Sequence, residues 1–505
     1  MTSFEETPQA KLAVPAEQKS STAPPIYREN TIVDGVLRHP PSGVKVVVVG
    51  GGIAGLFTAV ECWRKGHEVV VLEKAGQSSD HGDVFGIGPS GLSTLAKYPS
   101  MLEEYNTIAQ AAQWRFLYEN GTQIAPESEY EYNKEGVAKH AAYPLYIKSI
   151  IRRNQLAKML ADQCARLGIP IHFNVSVTAY EENEDLGFAT AVADNGHRFT
   201  GDVVIAADGI GTKSHAVILG HPTRANGTGF VMYRAVVPSS LLVHHPNVRR
   251  VVSKEQKPNV SMFFGGPGGQ HHVITTLPDV VCYITLVKDD GEASESWSNR
   301  ATGAEILSRL AEPENIDPLV TDGYKAIATE NVAVKWLLAM RNPQPKWVSK
   351  GGRIVQVGDS AHSFLPSSGN GANTALESAI TIAECLHQGG KSGANVATRV
   401  YQLLRYQRAT IIQHTGLRNR QQIILKPSEG MLHQGKWLWA HQPEAYARDN
   451  FAQARAHIEH GAAFENTNLP PGHKFEDWTM EDEIAKEQAG VYLQDLKTNG
   501  DWGLV

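Results

Sequence analysis

Cysteine is scarce in this chain: four among 505 residues, Cys62, Cys164, Cys282 and Cys385, with no CxxC pair and no metal-ligand spacing. That excludes a disulfide-framed secreted scaffold and a cysteine-held metal, so free buried thiols are expected and no metal site. Basic charge is not in excess either. Lys and Arg total 47 against 53 Asp and Glu, a formal net charge of -6, which favours neither nucleic acid nor an anionic membrane as partner. The N-terminus has no basic-then-apolar leader, and no run of ~18 apolar residues marks a membrane helix. These absences predict a cytoplasmic protein without a membrane segment. Extreme composition is missing too: 42% hydrophobic and 20% charged residues are ordinary for a globular enzyme and argue against overall disorder.

What is present begins after a Pro-, Ser- and Thr-rich stretch. Residues 1–43, with Pro24-Pro25 and Pro40-Pro41, read as an extended or disordered arm. From Val44 to Val49 the chain is almost continuously β-branched, as a strand buried on both faces requires. A glycine cluster, a helix over Leu56–Lys65 and an apolar strand over Glu68–Leu72 complete a βαβ unit. Helical spacing runs through Ser149–Leu167, and Val203–Ala207 and Arg353–Val357 read as further strands of the same layer. An apolar helix is expected over Ala372–Leu386. Between these, residues 221–335 alternate polar and apolar, and VMYRAVV, SMFFGG, HHVITTL and VCYITLV read as antiparallel strands. The expectation is an α/β fold: a Rossmann-type domain (44–220 and 336–420) interrupted by an antiparallel-sheet substrate domain (221–335). A C-terminal helical cap (421–505) would follow, anchored by Trp437, Trp439, Trp478 and Trp502.

Two motifs carry chemistry. In VVVVGGGIAGL, Gly50-x-Gly52-x-x-Gly55 follows a strand, opens a helix, and precedes Glu73 at the end of the next strand. Gly50 permits the tight turn, Gly52 lets backbone approach a pyrophosphate, and Gly55 allows close helix–strand packing. The helix N-terminus offers N–H groups and partial positive charge to phosphates. Glu73 can accept both hydroxyls of a ribose and would repel a 2′-phosphate. Ile53, Ala54, Lys74 and Gly86 are counted with this cofactor set. The second motif is RIVQVGDSAHSFLPSSGNGANTALESA, residues 353–379. Here Asp359 would accept from a sugar hydroxyl, and the N–H groups of Gly371, Ala372 and Asn373 point at a ligand oxygen, forming a second phosphate-and-ribityl cradle.

The glycine fingerprint, then VVIAADGIGTKS (203–214), then GDSAH with a distant PxxGxG resembles the group A FAD-dependent monooxygenases. Their fold is that of p-hydroxybenzoate hydroxylase, and salicylate hydroxylase and fungal secondary-metabolite hydroxylases are similar in layout. The resemblance spans residues ~44–420. It implies that Asp208-Gly209 serves flavin and nicotinamide pyrophosphates and that Arg153 contacts the FAD phosphate region. It also implies that Arg234, in VMYRAVVP, lies over the flavin ring as the catalytic candidate, where a guanidinium can hold a phenolate or stabilise an oxygen anion. The competing reading of Arg234 is a surface arginine on an edge strand. Tyr233, a second candidate, points to the opposite face in a regular strand, so at most one of the pair lines a pocket. His271 and His272 fall under the same restriction and, with Pro366, are substrate-pocket candidates. The family usually carries Gln where this chain has Asn370 and Asp where it has Ser378; flavin binding is expected to survive both changes.

No second strand–GxGxxG–helix unit exists for a nicotinamide nucleotide; the glycines at 265–269 lie between sheet strands. NADPH or NADH would therefore visit only transiently. The resemblance implies an enzyme that hydroxylates a phenolic or polyketide-type small molecule with NAD(P)H and O2 through a flavin hydroperoxide, as monomer or homodimer. Epoxidation of an indole or alkene, and a flavin oxidase or dehydrogenase, are the alternatives. His457-Ile-Glu-His460 lacks metalloprotease spacing and reads as a solvated helix face.

Overall fold

The computed structural model describes residues 29–76, 83–134, 137, 147–252, 257–291, 299–425, 435–489 and 498–503. At its centre lies a five-stranded parallel sheet. Its order is Ile354–Gln356, Val203–Ala206, Lys45–Val49, Glu68–Leu72 and Ile171–His172. The valine run shows why this sheet needs two covers. Val46 and Val48 enter a core with the helices Ile53–Arg64, Arg153–Arg166 and Gly371–Gly389, while Val47 and Val49 enter a separate core beneath a three-stranded antiparallel sheet. All four are within 4% of complete burial, and each such side chain contributes on the order of 1.5–3 kcal/mol.

The second large unit is an eight-stranded sheet. Asn226–Pro238 lies inside it, paired antiparallel with Val280–Lys288 on one side and Ala333–Met340 on the other. Arg234 is therefore not on an edge strand. Beyond Val280–Lys288 come His271–Thr276, Asn259–Phe264, Gln113–Tyr118 and Gln123–Ser128. The last two precede residue 221, and Gln113–Tyr118 joins in parallel to Asn259–Phe264. The sheet thus draws on more chain than the expected 221–335. These strands carry Trp114 and Phe116 to an apolar face, a reason visible only once the strands are paired.

Two further expectations are corrected. Residues 29–43 do not all form a loose arm: Thr31–Val33 and Val36–Arg38 make a hairpin. Its Asp34-Gly35 turn has positive φ at both residues, 52° and 71°, the conformation that Asp-Gly favours in two-residue hairpins. Residues 1–28 lie outside the described residues. The helix expected from Ser149 begins at Arg153, because the β-branched Ile150 and Ile151 are drawn into a short strand against Val84–Gly86.

Past the parallel sheet, the helix Ala394–Leu425 packs along Gly371–Gly389, followed by Lys436–Trp439, Pro443–His460 and Met480–Gln488. Between Gly461 and Thr479 the chain has no helix, so the C-terminal region is only partly helical. Of its tryptophans, Trp437 meets Trp502 edge-on at 5.2 Å and Trp478 stacks on His414 at 4.6 Å. His457 bonds the Ala462 carbonyl through Nδ1 at 2.7 Å.

One buried ion cluster ties these layers together. Glu377 accepts from Arg405 at 2.7 Å and from Arg408 at 2.9 and 3.0 Å, and Arg408 also donates to the carbonyls of Trp437, Leu438 and Asn468. Burial pushes the Glu377 carboxyl up, but the two guanidiniums outweigh it and hold it far below the usual glutamate range. Replacing Glu377 by Ala strands two buried cations and is expected to cost about 3–5 kcal/mol, read as a lowered urea midpoint. With a depressed folded-state pKa, the stabilisation from Glu377 is complete above the ordinary glutamate range. It is lost only as pH falls well below that range, so parent and Glu377→Ala melting temperatures should converge only in strong acid.

Candidate functional site

Three chain segments far apart in sequence meet at the C-terminal ends of the parallel strands. Gly50 has φ 110°, and a Cβ there would stand 2.3 Å from the Ala207 carbonyl oxygen. A Cβ on Gly55 would stand 1.9 Å from the Gly50 oxygen, and one on Gly358 (φ 67°) would stand 2.7 Å from Ala54 Cβ. The fingerprint turn thus meets the Ala207–Gly209 turn backbone to backbone and the Gly358–Ser360 turn through the Ala54 methyl group, and side chains at these glycines would force the turns apart. Polar bonds hold the same junction. Asp208 accepts from the Tyr180 hydroxyl at 2.6 Å and the Ser360 hydroxyl at 3.1 Å, while Ser360 Oγ accepts from Gly209 N at 3.0 Å.

The face these turns leave open suits an anionic nucleotide. Nothing lies within 4 Å of where a Gly52 Cβ would be. The first helical bond runs from Leu56 N to Gly52 O at 2.9 Å, so the N–H groups of Ile53, Ala54 and Gly55 precede it. Glu73 accepts from Gly51 N at 2.5 Å and Ala75 N at 2.8 Å, which fixes its carboxylate beside the turn; Lys74 is exposed next to it. At the other motif Thr374 N bonds Asn370 O at 2.8 Å, leaving Gly371, Ala372 and Asn373 N–H ahead of the ladder. The Asn373 side chain does different work: it accepts from Gly91 N at 3.0 Å and donates to Ser90 Oγ at 2.8 Å, clamping the 83–91 segment to this helix. Asn370 braces its own loop, donating to Ser368 O at 2.6 Å, and Ser378 meets His362 Nε2 at 3.0 Å. Asp359 is reachable by solvent yet ringed by protein, as on a cleft floor; that enclosure raises its carboxyl, opposed by Arg153 and Arg341.

The eight-stranded sheet closes this cleft with one face only. Cross-strand register puts Arg234, Ile284, Val273 and Met262 in one row on that face. Leu365, at the head of the Pro366–Ser368 turn, packs on Met232, Leu286 and Leu338, and Val84 packs on Val280 and Cys282. Arg234 therefore lies between the Pro366–Gly371 loop and the 83–86 strand. Its Nη1 donates to Asp83 Oδ2 at 2.9 Å, its Nε reaches Met232 Sδ at 3.0 Å, and its Cζ is 5.8 Å from the Trp336 ring centre. Asp83 also takes Arg153 Nε at 3.3 Å, and Arg153 lies over Phe85 at 5.2 Å. Burial pushes the Asp83 carboxyl up, but Arg234 and Arg153 together hold it below the ordinary range. Gly86 lies on the same strand, its α-carbon turned toward the Tyr130 hydroxyl, which a Cβ would meet at 2.6 Å.

Tyr233 and His272 are not brought to this site. Both lie on the opposite sheet face: Tyr233 is 1% exposed beneath the helices Gly303–Arg309 and Pro318–Ala326. His272 bonds Thr285 Oγ1 at 2.8 Å on that same side. Strand alternation is the reason. His271 shares the face of Arg234 but two strands away, buried and bonded to Gly269 O at 3.0 Å. Burial lowers its pKa to about 4, and the bond to the Gly269 carbonyl ties its ring to the strand's own approach. Pro366 is exposed at the loop. Sequence reading missed two residues. Asp83 stood as one acid in a polar segment, without a motif. Arg341, 3% exposed, donates to the carbonyls of Ile210, Asp359 and Ser360 and pins two of the three turns together; it stood as a lone basic residue after a strand.

The profile of a FAD binding domain family matches residues 43–395. FAD-dependent monooxygenase fsr3 of Gibberella fujikuroi is 33% identical over 480 residues, covering 92% of this chain and 91% of its own. The chain belongs to the FAD-dependent monooxygenase family. Among solved structures, FqzB superimposes with a TM-score of 0.74 at 26% identity, covering 87% of this chain and 99% of FqzB. CtdE in complex with FAD and substrate 4 gives 0.73 at 27% identity, covering 82% and 99%. The cofactor of this monooxygenase is FAD, and the two helix N-termini, the open Gly52 face and the enclosed Asp359 fit such a nucleotide. No described helix is long and apolar enough to cross a membrane. Gly55→Ala forces a Cβ onto the Gly50 oxygen; purified Gly55→Ala protein should carry less flavin per chain and melt at a lower temperature than the parent.

Proposed function

We propose that this monooxygenase uses NAD(P)H and O2 to hydroxylate an aromatic small molecule of phenolic or polyketide type. The observation that carries the reading is Arg234: a guanidinium on the sheet face that closes the cleft, flanked by Trp336 on one side and by Asp83 on the other. Half-buried Trp114, Phe116 and Trp336 offer flat apolar surface on the face of the same sheet. Rings stack on such surface, and the cation supports an oxygen anion on the substrate or on the reacting oxygen. Met232 sulfur is a weak acceptor, so an anionic oxygen would outcompete it for Arg234 Nε.

Bound FAD supplies the redox chemistry, accepting hydride from NAD(P)H and activating dioxygen. The chain's own share is positioning. Glu73 would hold the ribose, the N–H groups of Ile53–Gly55 and Gly371–Asn373 and the side chain of Arg153 would hold phosphates, and Asp359 would orient the ribityl chain. Arg234 would orient the substrate, and the sheet face would exclude water from the reacting centre.

The direct test is NAD(P)H oxidation and product mass over a panel of phenols, indoles and alkenes. A one-oxygen gain restricted to phenols supports the reading. Gain restricted to indoles or alkenes replaces hydroxylation by epoxidation, and stoichiometric peroxide without NAD(P)H use replaces it by an oxidase. Arg234→Ala should stay folded and yellow while product formation falls at least a hundredfold, on the order of the loss of one transition-state donor. Glu73→Ala and Asp359→Ala should lower the flavin-to-protein absorbance ratio; full occupancy in both removes them from the cradle.

A further inference from the structure

Charges of alternating sign run from the sheet wall to the second glycine turn. Arg234 meets Asp83 at 2.9 Å and Asp83 meets Arg153 at 3.3 Å. Arg153 and Arg341 then both act on Asp359. The middle member of the first three is the most enclosed with Arg234: the Asp83 and Arg234 side chains are 10% and 11% exposed, whereas Arg153 is 40% exposed. Asp83 is also held from behind, since its carbonyl accepts from Arg153 N at 3.0 Å. A single buried carboxylate thus divides its two oxygens between a cation on the substrate wall and a cation at the start of the helix Arg153–Arg166.

We propose that Asp83 is a positioning residue that couples the two halves of the site, so that the state of Arg234 sets how strongly Arg153 can engage the cofactor's phosphates. The physical basis is competition for one anion. While Arg234 occupies Oδ2, Asp83 draws less on Arg153, and Arg153 can turn to another anion. Removing the Arg234 charge concentrates Asp83 on Arg153 and withdraws it from the phosphates. By linkage the effect runs both ways: FAD that engages Arg153 leaves Asp83 to hold Arg234 in one orientation. The inference rests on Arg153 as a phosphate contact.

The test reads cofactor affinity, without any substrate. FAD release from diluted holoenzyme is followed by recovery of free-flavin fluorescence, giving Kd for the parent, Arg153→Ala, Arg234→Ala, Arg234→Lys, Asp83→Asn and Asp83→Asn/Arg234→Ala. Arg234→Ala should weaken FAD about fivefold, leaving the protein yellow at working concentrations. Arg234→Lys, which keeps the cation, should stay near the parent, and Arg234→Ala should change nothing further in the Asp83→Asn background. Equal effects of Arg234→Ala in both backgrounds, or no effect in the parent, overturn the coupling. Should Asp83→Asn fail to fold, equal weakening by Arg234→Ala and Arg234→Lys overturns it instead, since a packing role responds to both. If Arg153→Ala weakens FAD while Arg234→Ala does not, the coupling alone fails. An unaltered Kd in Arg153→Ala overturns the phosphate contact itself.

Discussion

The site depends on three turns meeting at one point with no room for a Cβ between them. Gly50, Gly55 and Gly358 are places where a Cβ would stand between 1.9 and 2.7 Å from a neighbouring atom, and through them three turns separated by about 150 residues each share a single junction. Everything polar at the junction follows from that contact. Once the turns touch, Asp208, Ser360 and Gly209 fall within hydrogen-bond reach, and Arg341 can bridge the carbonyls of Ile210, Asp359 and Ser360. The same contact brings the first turns of two helices, Ile53–Arg64 and Gly371–Gly389, to the open side of the junction, where leading N–H groups suit an anionic ligand.

Around this junction the molecule keeps its charges in matched company. Glu377 sits between Arg405 and Arg408, Asp83 between Arg234 and Arg153, and Asp359 within the influence of Arg153 and Arg341. In each case enclosure by surrounding protein works against the carboxylate and neighbouring guanidiniums work for it. For Glu377 and Asp83 the guanidiniums prevail; for Asp359, which makes no ion pair with its cations, the surrounding protein does.

Sheet parity then chooses the wall. Tyr233 and Arg234 are adjacent, yet one packs under two helices and the other faces the cleft, because successive side chains leave a strand on opposite sides. The strands Gln113–Tyr118 and Gln123–Ser128 widen the wall from an unexpected part of the chain, bringing Trp114 and Phe116 alongside. Leu365 and Val84 act as the pegs that register the cofactor loops against this surface.

Local pattern alone determined a great deal. The valine run, the glycine spacing, Glu73 at the next strand end and the Gly358-Asp359 turn are contiguous signals, since a strand, a tight turn and a helix start are each made by neighbours in the chain. Their family resemblance extended that reading to FAD. The Asp34-Gly35 hairpin reads in sequence as part of a loose arm, because surrounding prolines and polar residues hide its two short strands. What only tertiary structure decided was every relation between distant segments: which face of Asn226–Pro238 meets the cleft, which strands complete the wall, and which cations Asp83 and Arg341 serve. A lone charged residue has no periodicity and no motif, so its role exists only after folding has chosen its partner.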